Sequence, residues 1–141
     1  IKGKIVVEDG EFVNICAIKQ GEEIFKIITG RYYSDIEKFC NETKKKLQNQ
    51  TSFTEPLPPD ARRSQVIAYM SCTPWFEFTH ITHPQDVQRN SFVPHVSFDK
   101  MKINEKGERY INVSLQVNHA AIDGALIAKL LDEVKSIIEQ L

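Results

Sequence analysis

The sequence predicts an α+β domain, a two-layer sandwich with a mixed, mostly antiparallel sheet and helices on one face. Three observations point to it. Strand-like and helix-like stretches follow one another as strands, helix, strands, helix. Residues 110–117 alternate with period two, Ile111, Val113, Leu115 and Val117 against Asn112, Ser114 and Gln116, which describes a half-buried strand. From Ile127 the period changes: Leu130, Leu131, Val134, Ile137, Ile138 and Leu141 recur every three or four residues, as on an amphipathic helix.

The remaining elements follow in order. Residues 4–7 and 11–18 read as strands joined at Glu8-Asp9-Gly10, where Asp-Gly favours a hairpin turn. Glu22 to Thr29 is a further strand-like run. Ser34 opens a helix, because Ser34 and Glu37 have capping-box spacing and Ile36, Phe39, Cys40, Thr43 and Leu47 form one apolar stripe; Lys44, Lys45 and Lys46 fall mostly towards solvent. Residues 51–63, with Pro56, Pro58 and Pro59, are a loop. Gln65 to Cys72 is a buried strand ended by Thr73-Pro74, residues 79–91 are irregular, and His95 to Ile103 is a strand leading into the hairpin loop 104–107. The polar positions Asn112, Ser114 and Gln116 are left to solvent or to another subunit.

A chain of 141 residues suits one domain, residues 1–141, with a single core. Apolar residues at 41% and charged residues at 26% exclude global disorder. A formal net charge of −1 lacks the basic excess of a nucleic-acid partner, and no apolar run approaches the roughly 20 residues that span a bilayer. Cys16, Cys40 and Cys72 are odd in number and widely spaced, which fits reduced thiols and a cytoplasmic setting. Cys72 reads as a small buried apolar residue on a strand, not as a nucleophile.

Chemistry concentrates where the last strand meets the last helix, at Asn118-His119-Ala120-Ala121-Ile122-Asp123-Gly124. A His held at a strand end can project into a cleft, and an imidazole with an unperturbed pKa near 6.5 is largely free base at neutral pH. Asp123 can cap the following helix or bind a cation that fixes the loop. By spacing alone the pattern suits a structural histidine as well as a catalytic one. His80 and His83 form an H-x-x-H pair, but no carboxylate or thiolate set accompanies it, so no metal is expected.

The stretch Gln116 to Gly124 resembles the signature of the chloramphenicol acetyltransferase superfamily of coenzyme A-dependent acyltransferases. Three more segments are similar in family order: Tyr33 to Phe39, the Ser71-Cys72-Thr73-Pro74-Trp75 strand end, and Phe92-Val93-Pro94-His95-Val96-Ser97-Phe98-Asp99-Lys100. The resemblance covers nearly the whole chain but only about the C-terminal two-thirds of a family member, so the N-terminal part of the fold is expected to be missing. It implies a homotrimer with active sites between subunits, binding acetyl-coenzyme A as cosubstrate with no bound cofactor. The implied reaction is transfer of acetyl to the primary-side hydroxyl of chloramphenicol or a similar small alcohol in a ternary complex, giving antibiotic resistance.

By that resemblance His119 is the general base, matching the second of two family histidines, with Asn118 in place of the first. Ser71 donates a hydrogen bond to the developing oxyanion. Asp123 holds the catalytic loop, with its family arginine partner expected in the part missing here. Trp75 lines the coenzyme channel, Ser97 binds an ordered water and Lys100 approaches the coenzyme phosphates. Phe92 is a substrate- or coenzyme-binding residue, and Ile81 keeps apolar character around the acceptor; His83, at another such position, does not. Two other readings stay open. One is the catalytic domain of dihydrolipoyl acyltransferases, which shares His-x-x-x-Asp-Gly-Ala, with Ala125 after Gly124, but normally carries Asp-His-Arg where this chain has Asn118-His119-Ala120. The other is a catalytically inert, trimer-forming relative.

Overall fold

The computed structural model describes residues 9–54, 58–59, 66–83 and 92–140. Its elements are β1 (Phe12–Ala17), β2 (Lys26–Arg31), α1 (Ile36–Asn49), β3 (Val66–Cys72), β4 (His95–Phe98), β5 (Lys102–Ile103), β6 (Arg109–Tyr110), β7 (Val113–Gln116) and α2 (Gly124–Ile138). Among the described residues five strands form one mixed sheet in the order β2-β1-β3-β4-β7, and β5 and β6 form a separate two-stranded ribbon. The β1–β2 and β4–β7 pairings are antiparallel, while β1–β3 and β3–β4 are parallel. The fold is therefore the expected α+β class. The first expected strand, residues 4–7, lies outside the described residues, as do Gln65 and residues 84–91.

Side chains alternate across a strand, so the pairing register sorts the sheet into two faces. Val13, Ile28, Gly30, Ala68, Met70 and Leu115 fall on one face. Helix α1 covers the β2 side of that face: a Cβ added at Gly30 would stand 3.2 Å from the Phe39 ring and 3.3 Å from Thr43 Oγ1, so glycine is what lets the helix sit so close. Among the described residues the buried apolar side chains are Phe12, Val13, Ile28 and Val66, and each such side chain removed from water contributes on the order of 1.5–3 kcal/mol. The opposite face is more polar, with Thr29 and Asn14 joined by a 3.0 Å hydrogen bond, followed across the sheet by Tyr69, His95 and Gln116.

Several sequence expectations shift. The N-cap of α1 is Asp35 rather than Ser34: its Oδ1 accepts from the Lys38 amide at 3.0 Å, and its charge suits the positive end of the helix dipole. Of the lysine run, Lys46 is not a solvated residue, because its ammonium donates to the Thr29 carbonyl at 2.7 Å. The strand expected at 22–29 runs from Lys26 to Arg31. A turn in which the Glu22 amide bonds to the Lys19 carbonyl displaces its start, and Phe25 leaves the ladder to meet Phe53 edge-on. Cys72 lies on β3 as expected but is exposed, not buried. Much of the apolar stripe of α2 is exposed as well; Ile137 and Ile138 are 60% and 61% accessible.

Two of the expected strands, 95–103 and 110–117, are each broken, and one carboxylate sits at both breaks. Asp99, 2% exposed, accepts the Asn112 amide at 2.7 Å, Asn112 Nδ2 at 2.9 Å and Lys102 Nζ at 2.9 Å. Chain that would continue the ladder instead turns to meet this group, so β5 and β6 leave the sheet as a ribbon closed by Gly107 at φ 80°. Burial pushes the Asp99 pKa up, but the hydrogen bond and charge of Lys102 and the backbone donors of Asn112 and Phe78 outweigh it, leaving the carboxyl below its usual range. A depressed folded-state pKa stabilises the fold above the unfolded value of about 3.9, and that contribution is lost as pH falls through the folded value. Asp99→Asn should therefore lower Tm most at neutral pH, and the gap to the wild type should close on acidification below about pH 4. A gap in thermal melts that stays constant from pH 7 to pH 3 contradicts this assignment.

Candidate active site

The polar face of the sheet is walled into a cleft of about 510 Å³ at the C-terminal end of β3. Ser71, Trp75, Tyr69, His83 and His95 line it, with Phe25 and Ile27 giving an apolar side. Ser71 sits there because β3 presents every second side chain to this face, in register with Cys16 on β1 and Ser97 on β4. Beyond Cys72 the chain turns: the Thr73 amide donates to the Phe98 carbonyl at 2.9 Å, and the Phe76 amide closes back on the Thr73 carbonyl. Pro74 ends the ladder, and Trp75 projects from the turn, 62% exposed, at the cleft rim. The Lys100 amide and Asn112 Nδ2 donate to the Phe76 and Phe78 carbonyls, which ties this loop to the Asp99 node.

Ser97 is fully buried and its Oγ lies 2.5 Å from His83 Nε2. The His83 amide donates to Gln116 Oε1 at 3.2 Å, so Gln116 takes a partner within the chain, and so does Asn112. The His83 ring stacks on His95 with centroids 5.3 Å apart, and His95 in turn lies 5.0 Å from Tyr69. Burial pushes the His95 pKa down, and the neighbouring His83 adds to this, so its ring is neutral near pH 7. The Cys16 and Cys72 thiols are shifted up, by burial in both and for Cys72 also by the Asp99 charge, and so lack activated-thiolate character.

His119 stands apart, in the turn between β7 and α2. Asn118 builds that turn: its side chain accepts the Ala120 amide at 3.0 Å, and its carbonyl accepts the Ala121 and Ile122 amides. The exposed His119 ring lies with Nδ1 3.1 Å from the Ile122 carbonyl. A carbonyl only accepts, so this contact makes Nδ1 a protonated nitrogen, and a neutral ring in this tautomer carries its lone pair on Nε2. Asp123 is the exposed N-cap of α2, its carboxylate accepting from the Leu126 amide at 3.0 Å.

The structure thus brings Ser71 and Trp75 to one cleft and sets Ser97 behind it. His119, Ile81, Phe92 and Lys100 are not among the residues that line it. Sequence reasoning passed over Tyr69 and gave His95 no role beyond its place in a strand and a motif. The signal was there: Tyr69-x-Ser71 and His95-x-Ser97 repeat one spacing on two adjacent strands, which puts all four on one face. Among the described residues no group of three or more His, Cys, Asp or Glu side chains could hold a metal ion, and no helix is long and apolar enough to cross a membrane.

Comparison with known proteins gives the class first. A solved chloramphenicol acetyltransferase superposes with a TM-score of 0.61 at 20% identity, covering 84% of this chain and 56% of that one, so the fold is that of these acetyltransferases. The chloramphenicol acetyltransferase family model matches residues 4–135, and the chain belongs to that family. A curated chloramphenicol acetyltransferase from Vibrio anguillarum is 27% identical over 124 residues, 84% of this chain and 54% of the relative. The chain spans about half the length of the relatives it matches.

The Asp123 cap yields a prediction for the loop that carries His119. Asp123→Ala should cost about 1 kcal/mol of stability through the lost cap, whereas Asp123→Asn should cost less, since asparagine still accepts the Leu126 amide. Urea unfolding of both variants checks the order, and equal losses would rule out capping as the role.

Proposed function

We propose that this chain carries acetyl transfer from acetyl-coenzyme A to a hydroxyl of chloramphenicol or a similar small alcohol, with His119 as general base. The observation that carries the reading is the His119 contact with the Ile122 carbonyl, which orients the ring and keeps Nε2 available on an exposed surface. In this reading Nε2 removes the proton from the acceptor hydroxyl while its oxygen attacks the thioester carbonyl carbon. A C–O bond forms, the tetrahedral oxyanion accepts a hydrogen bond from the Ser71 hydroxyl, and its collapse breaks the C–S bond. The leaving thiolate takes the proton back from the imidazolium, so the products are an acetyl ester and the free coenzyme thiol. No acyl-enzyme forms.

Trp75, exposed at the cleft rim, is proposed to line the coenzyme channel, and Lys100 to approach the coenzyme phosphates. Ile81 and Phe92 are proposed acceptor or coenzyme contacts, Ser97 the residue behind an ordered water, and Asp123 the brace of the catalytic loop. His119 is not part of the cleft that holds Ser71, so base and oxyanion donor are proposed to meet between neighbouring copies of a homotrimer. Family membership is what favours the trimer, the coenzyme and a cytoplasmic role in antibiotic resistance.

Thiol release from acetyl-coenzyme A, followed across a small panel of alcohols, tests the reading. His119→Ala should lower kcat by at least ~10² while leaving the melting profile in place, and Ser71→Ala should lower it by ~10²–10³. Turnover near the wild-type rate in the histidine variant would refute the base assignment.

A further inference from the structure

One part of the cleft is left over from this chemistry. His83 and His95 stand on the wall next to Ser71, and the catalytic scheme uses neither. His83 is fixed from three directions, by Ser97 at Nε2, by Gln116 at its amide and by the His95 ring at its face. Among the described residues its Nδ1 has no hydrogen-bond partner. The His95 ring is held by stacking between His83 and Tyr69 and makes no hydrogen bond among the described residues. Two imidazoles thus line a pocket whose described lining holds no carboxylate, lysine or arginine. Rigid polar atoms in an otherwise apolar cleft are costly to desolvate without a partner, so they discriminate strongly between ligands that supply one and ligands that do not.

We propose that the stacked His83–His95 pair selects the acceptor, favouring alcohols that carry a second, neutral hydrogen-bonding group such as a hydroxyl or amide. This rests on the acetyl-transfer reading for the identity of the ligand as an alcohol. A neutral imidazole offers one donor and one acceptor, which a hydroxyl or amide matches and a methyl group does not. A carboxylate is the poorer match: it only accepts, so it leaves the ring's acceptor nitrogen unmatched, and the protonated ring that would offset its charge is disfavoured at His95 by burial and by the neighbouring His83.

Three probes that share one skeleton test this: 2-phenyl-1,3-propanediol, 2-phenyl-1-propanol and 3-hydroxy-2-phenylpropanoate, which differ only in bearing a hydroxymethyl, methyl or carboxylate group. Calorimetric titration without acetyl-coenzyme A should show the diol binding about ten-fold or more tighter than either other probe, the worth of one well-made hydrogen bond. In His83→Phe and His95→Phe, checked for an intact fold by circular dichroism, that preference should fall to within about two-fold. Equal binding of diol and mono-alcohol by the wild type, tightest binding of the carboxylate, or no binding of any probe overturns the proposal, whether or not the variants fold. A diol preference that the folded phenylalanine variants retain overturns it too. A diol preference that both lose, with no acetyl transfer to any probe, supports the selecting wall and instead sinks the acetyl-transfer reading.

Discussion

Asp99 takes a carboxylate almost completely out of water and surrounds it with donors from separate stretches of chain. Such a group is tolerable only while every partner stays in place, because removing one leaves a buried charge uncompensated. That demand organises the end of the sheet. Lys102 is drawn in from the ribbon, its own pKa raised by the hydrogen bond to Asp99, and Asn112 is drawn in from the start of β7. Asn112 then reaches on to the Phe78 carbonyl in the loop that bears Trp75. The rim of the cleft is thus held through a polar network rather than by apolar packing, which gives it a defined geometry despite its exposure.

The division of the sheet into two faces has a similar logic. Apolar side chains on one face need α1, and Gly30 sets how near it comes. Freed from that duty, the other face can hold Ser71, Tyr69, His95 and Ser97 in neighbouring positions of two parallel strands. Parallel pairing matters here, since it puts the C-terminal ends of β3 and β4 side by side. The loops that leave both strands, with Thr73 bound to Phe98, frame the same opening.

Much of this was legible in the sequence. The period change from strand to helix around Asn118, the Pro74 stop and the family-like segments led to the α+β class and the acetyltransferase family. What escaped was non-local. The break of residues 95–103 and 110–117 depends on Asp99 finding Asn112 thirteen positions away, and no periodicity reports such a pairing. The cap of α1 was missed by one residue, because Ser34 and Asp35 are both good caps and only the backbone decides between them. Ser71 and Trp75 line one cleft and His119 does not, and local patterns do not encode which residues a cleft brings together.

The order β2-β1-β3 places two parallel neighbours, β1 and β3, on either side of a hairpin return and a helical crossover. As the chain emerges from the ribosome, β1 and β2 can zip together at once, but the other edge of β1 must wait until Val66 and the residues after it have been made. Closing that crossover carries a loop-entropy cost, which slows folding and leaves a strand edge open to wrong partners in the meantime. The pairing that sets Ser71 beside Cys16 joins residues far apart in the chain, so the cleft cannot exist until that closure cost has been met.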